Sequence, residues 1–161
     1  MKKVLFVLGM LLLSTAIFAQ RSLYDIEFGD VGSAAEMIAK LKAQGFVEIE
    51  NVENKYILEG QSDSNLPKLE IQFDPSLTHI VVWKAVYNLV AKPELAETIL
   101  AKLTALHGRC SVKDDYDYDY IWYFPDYKAL YVTHTEGVSL ILDYTIGDWD
   151  EDDFYYYYEN Y

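Results

Sequence analysis

The chain has 161 residues, of which 52% are apolar, and 26 acidic against 13 basic residues give it a net charge of −13. This length suits one globular domain, and the composition excludes general disorder, a collagen-like repeat and a disulfide scaffold. The acidic balance argues against nucleic acid as a partner, because phosphate backbones require clustered lysine and arginine.

Residues 1–19 have the pattern of a secretory signal peptide. Lys2 and Lys3 precede an apolar run, and small residues lead to Ala19. We expect cleavage after Ala19 and a protein in the periplasm or outside the cell. An uncleaved anchor is the alternative, but residues 4–19 fall short of the roughly 20 residues that a bilayer core requires. No stable membrane anchor is therefore expected after cleavage.

The first predicted helix lies between Ser33 and Gly45. Ser33 can cap its start, with Glu36 completing a capping box, and Gly45 can end it in a left-handed conformation. The apolar residues recur at the spacing of one buried stripe, which consists of Ala34, Met37, Ile38 and Leu41.

A second helix is predicted from Pro93 to Gly108, because proline suits the first helical position. Its apolar stripe consists of Leu95, Ile99, Leu103 and Leu106. Residues 35–41 resemble residues 96–103, and runs of strand character follow both segments. The pattern indicates an internal duplication, although two amphipathic helices that merely look alike remain the alternative.

Strands are predicted where apolar and polar residues alternate, as they do in residues 68–73 and 138–145, with a hairpin turn at residues 135–137. The predicted fold class is α+β: two tandem helix-plus-antiparallel-strand units form one sheet with two helices on one face. The units span about residues 30–90 and 91–146 of a single domain, 20–146. An acidic, tyrosine-rich C-terminal tail, 147–161, follows it.

Acidic and aromatic residues concentrate near the C-terminus. Residues 114–161 contain 13 acidic residues and one basic residue, and 12 of the 15 tyrosines. In residues 115–124 the rings alternate with aspartates, so an extended strand would place the rings on one side. The rings either pack inward or form a binding patch on the helix-free face of the sheet. The candidate binding residues are Tyr116, Tyr118, Tyr120, Trp122 and Trp83.

Two aspartate series have the alternate spacing of calcium-loop ligands. Both lack the glycine at the sixth position, and neither has convincing flanking helices, so we expect no specific metal site. A protein that responds to calcium or another cation is kept as an alternative. The candidate ligands are Asp115, Asp117, Asp119, Asp148, Asp150 and Asp152.

The sequence contains no recognisable catalytic motif. The three histidines are scattered, and Cys110 is the only cysteine, so no disulfide can form within the chain. His107 lies three residues before Cys110, but it also ends a predicted helix, where the dipole favours a cation. We therefore expect a protein that is not an enzyme and binds no cofactor. A hydrolase that uses a pair of carboxylates is kept as a third alternative.

The chain has a predicted export signal followed by two predicted repeats of one helix and then several strands. This arrangement resembles the β-lactamase inhibitor protein family and the outer-membrane assembly lipoprotein BamE. The resemblance rests on Ser33 to Gly45, Pro93 to Gly108 and the strand order. It implies a long sheet whose open aromatic face binds a partner protein. The inhibitor's disulfides and the lipoprotein's anchor cysteine are both missing here. The chain also looks like small secreted proteins of unknown function of Bacteroides type.

The sequence therefore predicts an exported, non-enzymatic binding module for protein–protein interaction, as in an inhibitor. Its binding surface is expected to be an aromatic, acidic sheet face, with the aspartate row selecting a basic protein partner.

Overall fold

A computed structural model describes residues 23–26, 29–30, 32–61, 65–113, 116–124 and 128–146. The predicted signal peptide, 1–19, and the predicted tail, 147–161, lie outside the described residues. The chain forms a short 3-10 turn, Leu23–Asp25, two helices and nine strands within this part. The strands are β1 Gly29–Asp30, β2 Phe46–Val52, β3 Lys55–Gly60, β4 Lys68–Phe73, β5 His79–Asn88, β6 Val112–Lys113, β7 Tyr120–Phe124, β8 Lys128–Thr135 and β9 Ser139–Ile146.

Helix α1, Ala34–Ala43, begins as the sequence predicts. The Ser33 hydroxyl oxygen accepts the Glu36 backbone N–H at 3.3 Å, which satisfies one of the free donors at the helix start. The helix stops before Gly45, whose φ of 99° favours glycine. The predicted stripe is confirmed, because the buried residues of α1 are Ala34, Met37, Ile38 and Leu41.

Helix α2, Leu95–His107, begins two residues after the predicted start. Pro93 lies in a turn instead, where its carbonyl accepts the Ala96 N–H at 3.3 Å. The buried residues are Ala96, Ile99 and Leu103, whereas Leu106 is 43% exposed. The buried stripe is therefore rotated relative to the predicted one, towards Ala96 and away from Leu106.

The strands form one antiparallel sheet in the order β2-β3-β4-β5-β9-β8-β7-β6, and β1 pairs with the start of β5. Strands β5 and β9 pair over seven residues, from Val82 opposite Thr145 to Asn88 opposite Ser139. The hairpin between β8 and β9 is confirmed: the Val138 N–H donates to the Thr135 carbonyl at 2.9 Å, and Gly137 has a φ of 64°.

The predicted fold class, two tandem α+β units, is wrong. A single large antiparallel sheet dominates the described residues, of which 47% lie in strands and 23% in helices. The single sheet itself agrees with the prediction, but β5 and β9 pair over seven residues, so the strands before and after α2 do not divide into two separate units. Both helices are minor additions to that sheet. No described helix has the length and apolarity needed to cross a bilayer.

One hydrophobic cluster contains the buried side chains of both helices and of one face of the sheet. Residues that pair across the strands share a face, so this core face can be followed along two rows. The first row consists of Leu58, Leu69, Ala85, Leu142, Val132 and Tyr120. The second consists of Tyr56, Ile71, Trp83, Tyr144, Leu130 and Trp122.

Candidate functional site

Trp83 lies at the centre of the core face and is 0% exposed. Its ring stacks on that of Tyr144, with 4.2 Å between centroids and 11° between planes. The Trp83 indole nitrogen has no hydrogen-bond partner within the described part of the chain. Trp83 is thus a packing residue of the β5–β9 junction, and the structure separates it from the other candidate binding residues.

Tyr120 and Trp122 also lie on the core face, at the end of the sheet formed by β7. Trp122 is 3% exposed, and its indole N–H donates to the Gly108 carbonyl at 3.1 Å. The two rings lie 6.1 Å apart at an interplanar angle of 33°. They line a pocket of about 310 Å³ between α2 and β7, whose other lining residues are Leu100, Ala101, Thr104, Arg109 and Cys110.

Tyr118 lies on the opposite face from Tyr120. Its ring packs against that of Tyr131, with 4.6 Å between centroids, and Tyr131 alternates along β8 with the core residues Leu130 and Val132. Tyr116 is 99% exposed. The predicted single row of rings is therefore divided: Tyr118 joins one face, and Tyr120 and Trp122 join the other.

Asp119 explains this division. Its backbone N–H donates to the Val132 carbonyl at 2.9 Å, and its carboxylate accepts the backbone N–H of His134. Regular strand structure begins only after it, at Tyr120. The alternation that the sequence suggests from residue 115 therefore extends only from Tyr120 to Phe124.

Of the predicted aspartate ligands, the described part of the chain contains Asp117 and Asp119. Asp119 is engaged with the backbone of β8, and Asp117 is exposed. Within the described ranges, no group of three histidine, cysteine or acidic residues could hold a metal ion. The remaining candidates, Asp115, Asp148, Asp150 and Asp152, lie outside those ranges.

The face of the sheet opposite the core carries a mixed surface. We define the outer patch as the half-buried residues of this face on β5, β9 and β8 together with two neighbouring tyrosines: Val82, Lys84, Val86, Ile141, Asp143, Tyr131, Thr133, Tyr123 and Tyr118. Ile121 and Ala129 lie on the same face and are 2% and 0% exposed, yet they are not members of the core cluster. The tyrosines thus form a second, smaller packed layer over β7 and β8.

Two ion pairs lie on the outer face of the sheet. Lys84 lies 3.7 Å from Asp143 within the outer patch, and Lys55 lies 2.6 Å from Glu70 beside it. These exposed pairs add little stability, but they keep the charge of the strands balanced. The exposed Asp117 beside the patch adds negative charge at the turn that leads into β7.

His107 is half-buried, and its ring contacts are with core residues. Its Nε2 lies 3.0 Å from the Tyr144 hydroxyl, and its ring lies 4.9 Å from that of Phe124. Burial lowers the pKa of His107 to about 4, so the imidazole is neutral at pH 7. The sequence led us to expect a protonated His107, because the helix dipole favours a cation at the end of α2. Burial has the larger effect on its pKa.

The sequence patterns did not indicate the residues that complete both surfaces. Tyr131 and Ile141 are outer-patch residues that only alternation within β8 and β9 could have indicated. Arg109 joins the pocket because the turn after Gly108, where φ is 78°, brings it beside β7. That proximity depends on pairing between distant segments, so no local pattern reports it.

Comparison with protein-family models, with curated proteins and with solved structures finds no match to this chain. The two surfaces must therefore be interpreted from their own chemistry.

Proposed function

We propose that this chain is an exported, non-enzymatic binding module that takes a protein partner on its outer patch. The observation that carries the proposal is the outer patch itself. Its aliphatic side chains and tyrosine rings are half-buried and lie on the sheet face opposite the helices. Export is supported by the signal-peptide pattern of residues 1–19.

The composition of the patch favours a protein partner. Tyrosine supplies a large contact area with few rotatable bonds, so its immobilisation on binding costs little entropy. Tyr118 and Tyr131 already support each other through their ring contact, which reduces that cost further. Val82, Val86 and Ile141 extend this apolar area around the Lys84–Asp143 ion pair.

Charge favours a basic partner. The chain carries a net charge of −13, and the exposed Asp117 and Tyr116 lie just before β7. A positive partner would be steered towards this surface at low ionic strength, and salt would slow its association.

Photo-crosslinking in the cells that make the protein tests the proposal. We would place p-benzoylphenylalanine at Val86 or Thr133 on the outer face and, as matched controls, at Lys40 or Lys102 on the exposed faces of α1 and α2. We expect adducts of one common mass from both outer positions and none of that mass from the helices. Equal adducts from all four positions, or none from Val86 and Thr133, would refute the proposal.

A further inference from the structure

The geometry points to a second site: the pocket between α2 and β7 binds a small, planar aromatic molecule that carries a carboxylate. This inference goes beyond the proposed function, because the pocket lies on the core side of the sheet, opposite the outer patch. A ligand here and a protein on the outer patch would occupy different surfaces. The two proposals can therefore fail separately.

The apolar and aromatic lining of the pocket suits an aromatic ring. Tyr120 and Trp122 project from alternate positions of β7 to the same face and form one wall, and Leu100 and Ala101 of α2 contribute apolar surface. The hydrogen bond from the Trp122 indole N–H to the Gly108 carbonyl holds the indole ring in place in the absence of a ligand. Such preorganisation limits the entropy that binding must overcome.

The size and hydrogen-bonding groups of the pocket limit the ligand further. A volume of about 310 Å³ lies at the small end for ligand pockets, which favours one or two fused rings. The Thr104 hydroxyl already donates to the Leu100 carbonyl at 2.9 Å, so it can only accept a hydrogen bond from a ligand. The Cys110 thiol lines the same space and is free.

The charge of the lining selects an anion. Arg109 is the only charged side chain among the described lining residues, although the whole chain is strongly acidic. Lys113 adds positive charge nearby, with its Nζ 5.8 Å from the centre of the Tyr120 ring. A guanidinium binds a carboxylate through two parallel hydrogen bonds, which supplies the specificity that an apolar pocket lacks.

The test uses 1-naphthoate as the anionic probe and 1-naphthalenemethanol as its neutral counterpart. Cys110, the only cysteine, reports occupancy through its rate of alkylation by iodoacetamide. We expect 1-naphthoate to slow alkylation at about one tenth of the concentration that the alcohol requires, a ratio typical of one charge-assisted contact. The indole N–H resonance of Trp122 should shift on binding, while that of Trp83 should not.

Three variants define the site. Arg109→Gln should raise the protective concentration of 1-naphthoate about tenfold and leave that of the alcohol unchanged, whereas Lys102→Gln, on the exposed side of α2, should alter neither. Ala101→Phe should fill the pocket and abolish protection by both probes. Equal protection by the two probes, protection that persists in Ala101→Phe, or no protection with an unshifted Trp122 resonance would each overturn the inference.

Discussion

The ring of Trp83 on β5 stacks on the ring of Tyr144 on β9 at 4.2 Å, directly across the ladder that joins the two runs of strands. Both side chains are at most 1% exposed. The hydroxyl of Tyr144 in turn contacts His107 at the end of α2. This stack therefore links the centre of the sheet to the end of α2.

Truncation of a ring in this stack should strongly lower the stability of the fold. Trp83→Ala removes a fully buried ring and should lower the free energy of unfolding by about 3–5 kcal/mol. Trp83→Phe should cost less than half as much, because it keeps a ring for stacking and removes an indole N–H that has no partner among the described residues. Urea unfolding followed by circular dichroism would measure both. A larger loss for Phe than for Ala would contradict this interpretation.

The pKa of His107 predicts a defined acid sensitivity. Burial holds its pKa near 4 in the folded protein, against about 6.5 when unfolded. The unfolded state therefore binds the extra proton first, and stability falls as the pH drops from about 6.5 to about 4. The shift would correspond to at most about 3 kcal/mol, which we reduce to about 1–2 kcal/mol because the ring is partly solvated.

The variant His107→Gln isolates this contribution. Glutamine keeps a hydrogen-bonding group near the Tyr144 hydroxyl but cannot take up a proton in this range. Urea unfolding at several pH values should show that the variant loses less stability than the wild-type protein between pH 6.5 and 4. Carboxylates such as Asp74, whose pKa is lowered by hydrogen bonds from Ser76 and the His79 backbone, act equally in both proteins. Parallel curves for the two proteins would refute the assignment.

The start of α1 allows a smaller, local test. Ser33→Ala removes the oxygen that accepts the Glu36 N–H and should cost about 1 kcal/mol. Ser33→Asp supplies another acceptor and should restore most of that loss. Thermal unfolding of the three proteins would show the order, and an alanine variant as stable as the wild type would exclude the cap.

Adjacent residues of β9 test which face is which. Leu142 is 0% exposed on the core face, so Leu142→Lys would bury an unpaired charge and should cost more than about 4 kcal/mol. Its neighbour Ile141 is half-buried on the outer face, so Ile141→Lys should change stability by about 1 kcal/mol or less. Urea unfolding of both variants would measure the two losses in the free energy of unfolding. Similar losses would show that the two faces of the sheet are misassigned.

The sequence predicts the parts of this fold that depend on neighbouring residues. The stripe of α1, its Ser33 cap, the turn at Gly137 and the alternation of Leu69, Ile71 and Phe73 all follow from local spacing, and the structure shows each of them. These features need only the period of a helix or strand and the conformational preferences of single residues.

Long-range pairing accounts for what the sequence did not predict. The sequence predicts one sheet, but no local period reports that β5 and β9 lie side by side in it. The sequence alone makes Trp83 a candidate binding residue. Its packing role follows from Tyr144, which lies opposite it in the ladder. Likewise, the division of the ring row at Asp119 depends on a hydrogen bond to His134, fifteen residues away.

The binding role of the outer patch is tested most directly by combining the crosslinker at Val86 with Ile141→Lys, which lies opposite it in the β5–β9 ladder. A charge placed within an apolar contact should abolish partner binding while the protein stays folded. We predict that the Val86 adduct disappears in this variant and that circular dichroism is unchanged. An adduct of undiminished yield in the folded variant would contradict the proposal that the outer patch holds the partner.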